Sequence, residues 1–143
     1  MVVFWHAHRA LVKATDGRIG LWRPKAGRWG ALRLTTVGRR TGRSRMVLVG
    51  YIEDGDALVT MAMNGWGQSE PGWWLNLQAH PDITVQTRDG VRAVHAHRAE
   101  GGERERLWSR WASVDSNLDA YAARRPSQTA VVVLEPRQDG SQA

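Results

Sequence analysis

Leu32-Arg-Leu-Thr-Thr-Val-Gly-Arg-Arg-Thr-Gly-Arg-Ser-Arg45 runs directly into Met46-Val-Leu-Val-Gly-Tyr51. Leu32, Leu34 and Thr36 alternate with Arg33, Thr35 and Val37, the period of a strand with one face inward. Gly38 and Gly42 bracket a tight turn, and a second strand leaves it. The hairpin tip carries Arg39, Arg40, Thr41, Arg43 and Arg45, four arginines in seven residues. Each guanidinium is a rigid fork that binds two oxygens at once, and the turn's free amides add further donors. Such a tip suits phosphate and carboxylate.

The 143 residues fit one domain, with 42% hydrophobic and 24% charged residues, ordinary for a globular chain. There is no cysteine, which excludes a disulfide framework and thiolate metal sites. No apolar run is long enough to span a bilayer and the N-terminus has no signal-peptide core, a combination that points to the cytoplasm. The net charge of +6 favours an anionic partner: nucleic acid, an anionic cofactor or a membrane surface. All but two of the 20 basic residues are Arg, and there are eight Trp.

Working outward, residues 2–14 read as a short helix with Phe4, Trp5, His8, Leu11 and Val12 on one face. It is expected either to dock on its own domain or to touch an anionic membrane peripherally. Glycines and Pro24 make residues 17–30 an irregular connection, pinned by Trp22 and Trp29. Beyond the hairpin, Glu53-Asp-Gly-Asp56 turns into a third strand over Ala57–Met63. Pro71 opens a helix holding Trp73, Trp74, Asn76 and Leu77, stopped by His80-Pro81. Ile83–Thr87 and Val91–Ala99 form a hairpin of two more strands. Helices are expected over Glu103–Val114 and Ser116–Arg124, and a sixth strand over Thr129–Leu134. The fold class is α+β, mainly β: a small, partly closed, largely antiparallel barrel of about six strands, with short helices over its open seam. The domain spans 31–137, preceded by the helix and connection of 1–30 and followed by a frayed tail at 138–143.

His6-Ala-His8 and His95-Ala-His97 lack the further ligands a metal centre needs, so no metal is assigned. No nucleophile elbow, Walker loop or GxGxxG is present. What remains is the arginine hairpin, the aromatic helix and Tyr121. A planar cofactor with a phosphorylated tail would use all three. Arginines would hold the tail, Trp73 and the Met61-Ala62 strand end would flank the ring, and the Tyr121 phenol would face the reacting side. Single-stranded nucleic acid bound through Arg and Trp is the alternative from another class.

Leu34-Thr-Thr-Val-Gly-Arg-Arg-Thr-Gly-Arg-Ser-Arg45, Asp54-Gly55, Asn64-Gly65, Pro71-Gly-Trp-Trp-Leu-Asn-Leu-Gln-Ala-His-Pro81 and Val131-Val-Val-Leu-Glu-Pro136 together resemble the deazaflavin-dependent nitroreductase family. These are split β-barrel oxidoreductases that use coenzyme F-420. The resemblance implies that Arg39, Arg40, Thr41, Arg43 and Arg45 surround the coenzyme's phosphate and oligoglutamate tail. It implies that Val47, Leu48, Met61, Ala62, Met63, Asn64, Gly65, Trp73 and Asn76 line the deazaflavin, and that Tyr121 orients or protonates a small-molecule electron acceptor. That acceptor is expected to be a quinone, enone or nitroaromatic, with no specific nucleic-acid partner. The same barrel holding flavin mononucleotide, or carrying the deazaflavin without turnover, are the neighbouring readings. Leu48, Met63, Trp66, Glu70 and Trp74 depart from the family pattern and are read as a reshaped acceptor pocket. An Arg-dense hairpin matches a tail of several negative charges, whereas flavin mononucleotide needs one phosphate site.

Overall fold

The alternation that starts at Leu32 gives a strand whose even-numbered side chains are fully buried, and the same logic repeats around a ring. The computed structural model describes residues 21–25, 27–63, 70–125 and 128–137. The helix expected over 2–14, Asn64-Gly65 with Trp66, and the tail at 138–143 lie outside them. The elements are β1 (Gly30–Val37), β2 (Ser44–Asp54), β3 (Ala57–Met61), α1 (Gly72–Ala79), β4 (Asp82–Thr87), β5 (Gly90–Arg98), α2 (Gly101–Ala112), α3 (Leu118–Ala123) and β6 (Val131–Pro136).

The strands run in the order β1-β2-β3-β6-β5-β4, and β4 returns to β1, so the ring is a closed antiparallel barrel. The expected open seam is absent among the described strands, because β6 pairs with both β3 and β5. β3 stops two residues earlier than the sequence suggests. Ala62 N–H turns to the carbonyl of Ala130 (3.0 Å) and Met63 N–H folds back to that of Met61 (2.8 Å). β6 begins two residues later than expected and runs to Pro136.

Two cores share the barrel wall. Leu32, Leu34, Val85, Val94, Val132 and Leu134 fill the interior with Trp73, Trp74 and Leu77 of α1. On the outside of β3 and β6, Val59, Met61, Val131 and Val133 meet Leu107 and Trp111 of α2 and Leu118 of α3. Helix α2 is also tied by charge. The Asp54 carboxylate, at the β2–β3 turn, accepts a fork from Arg106 (2.8 and 3.0 Å) and a third bond from Arg110 (3.3 Å). The hydrogen bond from Arg106 holds the Asp54 carboxyl below its ordinary value. Gly55 makes the turn itself possible, at φ 60°. Before β1, Trp22 accepts Ala31 N–H at 2.9 Å, anchoring the connection the sequence assigned to Trp22 and Trp29.

Tyr51 is 1% exposed within the interior core. Burial, reinforced by Glu53, pushes its phenol from 10.0 up to about 12. The unfolded chain therefore loses this proton first as pH rises. The associated stability is complete below pH 10.0 and is lost as pH climbs to about 12. At about 1.4 kcal/mol per pH unit, the loss is roughly 2–3 kcal/mol. Urea unfolding at stepped pH should show this alkaline loss in the wild type and not in Tyr51→Phe. Identical slopes in both would mean that another group drives the alkaline transition.

Candidate active site

The turn after β1 is built by its glycines. Gly38 N–H donates to the Arg43 carbonyl and Gly42 N–H to the Gly38 carbonyl, both at 2.8 Å. Gly42 takes φ 72°, which a side chain resists. Arg43 N–H donates to Thr41 Oγ1 at 3.2 Å. The tip residues from Arg39 to Met46 stand exposed.

Helix α1 holds this turn through one amide. Asn76, 6% exposed, accepts at Oδ1 from both the Arg39 backbone N–H (3.2 Å) and the Arg39 guanidinium (3.0 Å). Its Nδ2 donates to Thr36 Oγ1 (3.2 Å), and that hydroxyl donates to the Arg45 carbonyl (3.3 Å). One side chain thus fixes both limbs of the hairpin and aims Arg39.

Between the turn, the β2 and β3 strands and α1 lies a cleft of about 750 Å³. Of the residues expected to bind, Arg39, Arg40, Thr41, Arg45, Val47, Leu48, Met61, Met63, Trp73 and Asn76 line it together. The others fall elsewhere. Arg43 is exposed at the tip without joining the lining, and Ala62 is fully buried behind it. Asn64 and Gly65 are outside the described residues. Tyr121 of α3 is 5% exposed, its ring centroid 6.0 Å from the Arg125 guanidinium carbon, and it is not part of this lining.

Sequence reasoning missed Thr36, Gly38, Val49, Gly50, Thr60, Pro71, Gly72 and Trp111, all of which line the cleft. Trp111, on a helical stripe with Leu107 that has the period of a core face, is 2% exposed and serves as core and wall at once. It stacks on Trp29, with the ring planes within 1° and centroids 6.4 Å apart. A Cβ on Gly50 would lie 2.9 Å from the Trp29 ring. A glycine inside an apolar strand was the available signal of such a close approach.

Five of the described arginines are ion-paired, and others, among them Arg33, Arg39, Arg98 and Arg104, hydrogen-bond to neutral oxygens. Arg23, Arg106, Arg110, Arg125 and Arg137 each face a carboxylate. Among the described residues, Arg40, Arg43 and Arg45 face none. The β5 imidazoles also have partners: His95 meets Asp82 at 2.6 Å, and His97 lies between Glu103 (3.0 Å) and Glu135 (3.7 Å).

A cleft with a free cationic rim and an apolar floor has counterparts among known proteins. The family model for F420H(2)-dependent quinone reductases matches residues 5–136. The chain belongs to this family. An F420H(2)-dependent quinone reductase of Mycobacterium tuberculosis is 35% identical over 136 residues, covering 91% of this chain and 88% of the relative. Among solved structures, an F420-H2 dependent reductase (FDR-A) matches with a TM-score of 0.67 and 26% identity, over 73% of this chain and 93% of that one. A domain-swapped dimer matches with a TM-score of 0.71 and 27% identity, over 93% and 96%. As a member of the quinone reductase family the chain is an oxidoreductase of coenzyme F420, on the mainly β split-barrel fold that the sequence resemblance implied. The donor set fits that coenzyme: forks suited to phosphate and carboxylates at the rim, and Met, Val and Trp side chains suited to a planar ring within.

Asn76→Leu removes the amide and leaves the Arg39 N–H and the Thr36 hydroxyl short of a partner. The expected loss of stability is about 1–3 kcal/mol, the cost of an unsatisfied buried group. Coenzyme affinity should fall about tenfold as Arg39 loses its orientation, a drop worth ~1.4 kcal/mol. Chemical unfolding and a fluorescence titration measure the two separately. Full affinity in a destabilised variant would make Asn76 part of the fold and not of the site.

Proposed function

We propose that this reductase uses the cleft to deliver a hydride from reduced coenzyme F420 to an electron-poor planar acceptor, a quinone foremost, with enones and nitroaromatics in the same class. The observation that carries this is the continuity of a carboxylate-free arginine rim with an apolar slot in one cleft. When bound, the coenzyme supplies two electrons as a hydride, which requires neither metal nor thiol from the protein.

Arg39, Arg40 and Arg45 clamp the phosphate and the first tail carboxylate, with Thr41 adding a hydroxyl, and Arg43 meets a longer tail. Asn76 keeps Arg39 in register. Val47, Leu48, Met61, Met63 and Trp73 flank the ring, backed by Ala62. These side chains exclude water and hold the reacting faces in contact range, where positioning supplies most of the rate. Tyr121 is proposed as the phenol that hydrogen-bonds the acceptor's developing oxyanion, which requires the acceptor to lie toward α3.

Two variants test the assignment. Each charge-assisted hydrogen bond contributes about 1.5–3 kcal/mol, so Arg40→Ala/Arg45→Ala should weaken coenzyme binding by about a hundredfold or more. Fluorescence titration reads this directly, with flavin mononucleotide in parallel; tighter flavin than deazaflavin binding would overturn the cofactor assignment. Tyr121→Phe should keep coenzyme affinity and slow single-turnover quinone reduction by roughly tenfold to a thousandfold. A wild-type rate with every accepted quinone would make Tyr121 a packing residue, with the proton taken from another donor.

A further inference from the structure

Arg125 follows the end of α3 and is, among the described residues, the charged residue with a buried side chain, 1% exposed. Isolating a guanidinium from water costs several kcal/mol unless its donors are matched, so an apolar filler would serve stability alone at least as well. Its donors are matched to one backbone carbonyl and two side-chain oxygens. One terminal nitrogen donates to the Ala62 carbonyl (3.2 Å) and to Thr129 Oγ1 (2.9 Å). The other donates to the carboxylate of Glu70. The Tyr121 ring lies beside the same group, 6.0 Å from its central carbon.

Two of the points gripped in this way, the Ala62 carbonyl and the Glu70 carboxylate, adjoin different parts of the cleft lining. Met61 and Met63 flank Ala62 and line the cleft from the end of β3 and the turn after it. Pro71, Gly72 and Trp73 follow Glu70 and line it from α1. A planar fork with donors at fixed angles holds two such points at a set separation, which a lysine's single point charge cannot.

We infer that Arg125 is a positioning residue that sets the spacing between the β3 wall and the α1 wall of the cleft, and with it the width of the slot for the coenzyme's ring. This rests on the reading that the cleft holds that ring. Its effect belongs to the ring and not to the tail, which separates it from the arginine rim. It is also separate from a purely stabilising ion pair, because a stabilising pair changes the folded fraction without changing the affinity of folded protein.

The test titrates the full chain with whole coenzyme F420 and with the tailless 8-hydroxy-5-deazaflavin chromophore, alongside thermal unfolding of each variant. Arg125→Met should weaken both ligands by the same factor, roughly tenfold to a hundredfold, the scale on which ångström-level misplacement acts. Arg125→Lys should recover part of that loss. Arg40→Ala/Arg45→Ala should weaken the whole coenzyme while sparing the tailless ring. If folded Arg125→Met binds both ligands as the wild type does, Arg125 only stabilises the fold and the inference falls. Should Arg125→Met fail to fold, Arg125→Lys and Glu70→Gln decide: ring affinity unchanged in both overturns the inference, and a parallel loss for both ligands supports it. Wild-type protein that binds neither ligand overturns the coenzyme reading and this inference with it.

Discussion

Strand β6 is buried on both faces, and the other elements lean on it. Val132 and Leu134 point into the barrel, while Val131 and Val133 point at α2 and α3. All four are 2% exposed or less. Burying one such side chain contributes about 1.5–3 kcal/mol, set against a net stability for a domain of only ~5–15 kcal/mol. Its two edges pair with β3 and β5, so the same strand closes the ring. Its lead-in is equally occupied. Ala130 receives the Ala62 amide, Thr129 receives Arg104 at 2.7 Å and Arg125 at 2.9 Å, and Val131 receives Ala99 N–H at 2.9 Å.

That shared wall explains how so small a protein holds a cleft open. Met61 ends β3 beside Val131 and faces α2, where Trp111 completes both the outer core and the cleft lining. Trp73 and Asn76 reach the cleft from α1, whose Trp74 and Leu77 are packed in the barrel interior. Each cleft wall is thus the back of a hydrophobic core. The polar parts of the site are then fixed by few contacts: Asn76 for the turn, Arg125 for the junction of β3 and α1.

Much of this was legible in the chain because it was local. Period-two alternation and the glycine turns specified the hairpins, and Pro71 with His80-Pro81 bounded α1 within a residue. The arginine turn stood out in the sequence because its four cations exceed what solvation requires, and most of its residues do share one cleft. Closure of the ring was not legible, since it depends on β6 finding β5 and β1 finding β4 across long stretches of sequence. Nor was Trp111 at the cleft: its helical stripe with Leu107 carries the same period whether or not one edge faces a ligand. Glu70 was noticed only as a departure from the family pattern, whereas in the fold it is the partner of Arg125, 55 residues away.

The exposed rim has a consequence for how the molecule meets its coenzyme in time. Arg40 and Arg45 stand in solvent at the mouth, with Arg43 at the turn beside them, whereas the apolar slot lies among the side chains of β2, β3 and α1. Unpaired surface charge acts over a Debye length, about 8 Å at physiological ionic strength, so on the proposed site a polyanionic tail would be drawn in before its ring had touched anything. Capture would then be tail first and slow as salt is added, while release would be governed by the ring's departure from the slot. Such a site separates the forces that set the encounter rate from those that set the residence time, within a single cleft.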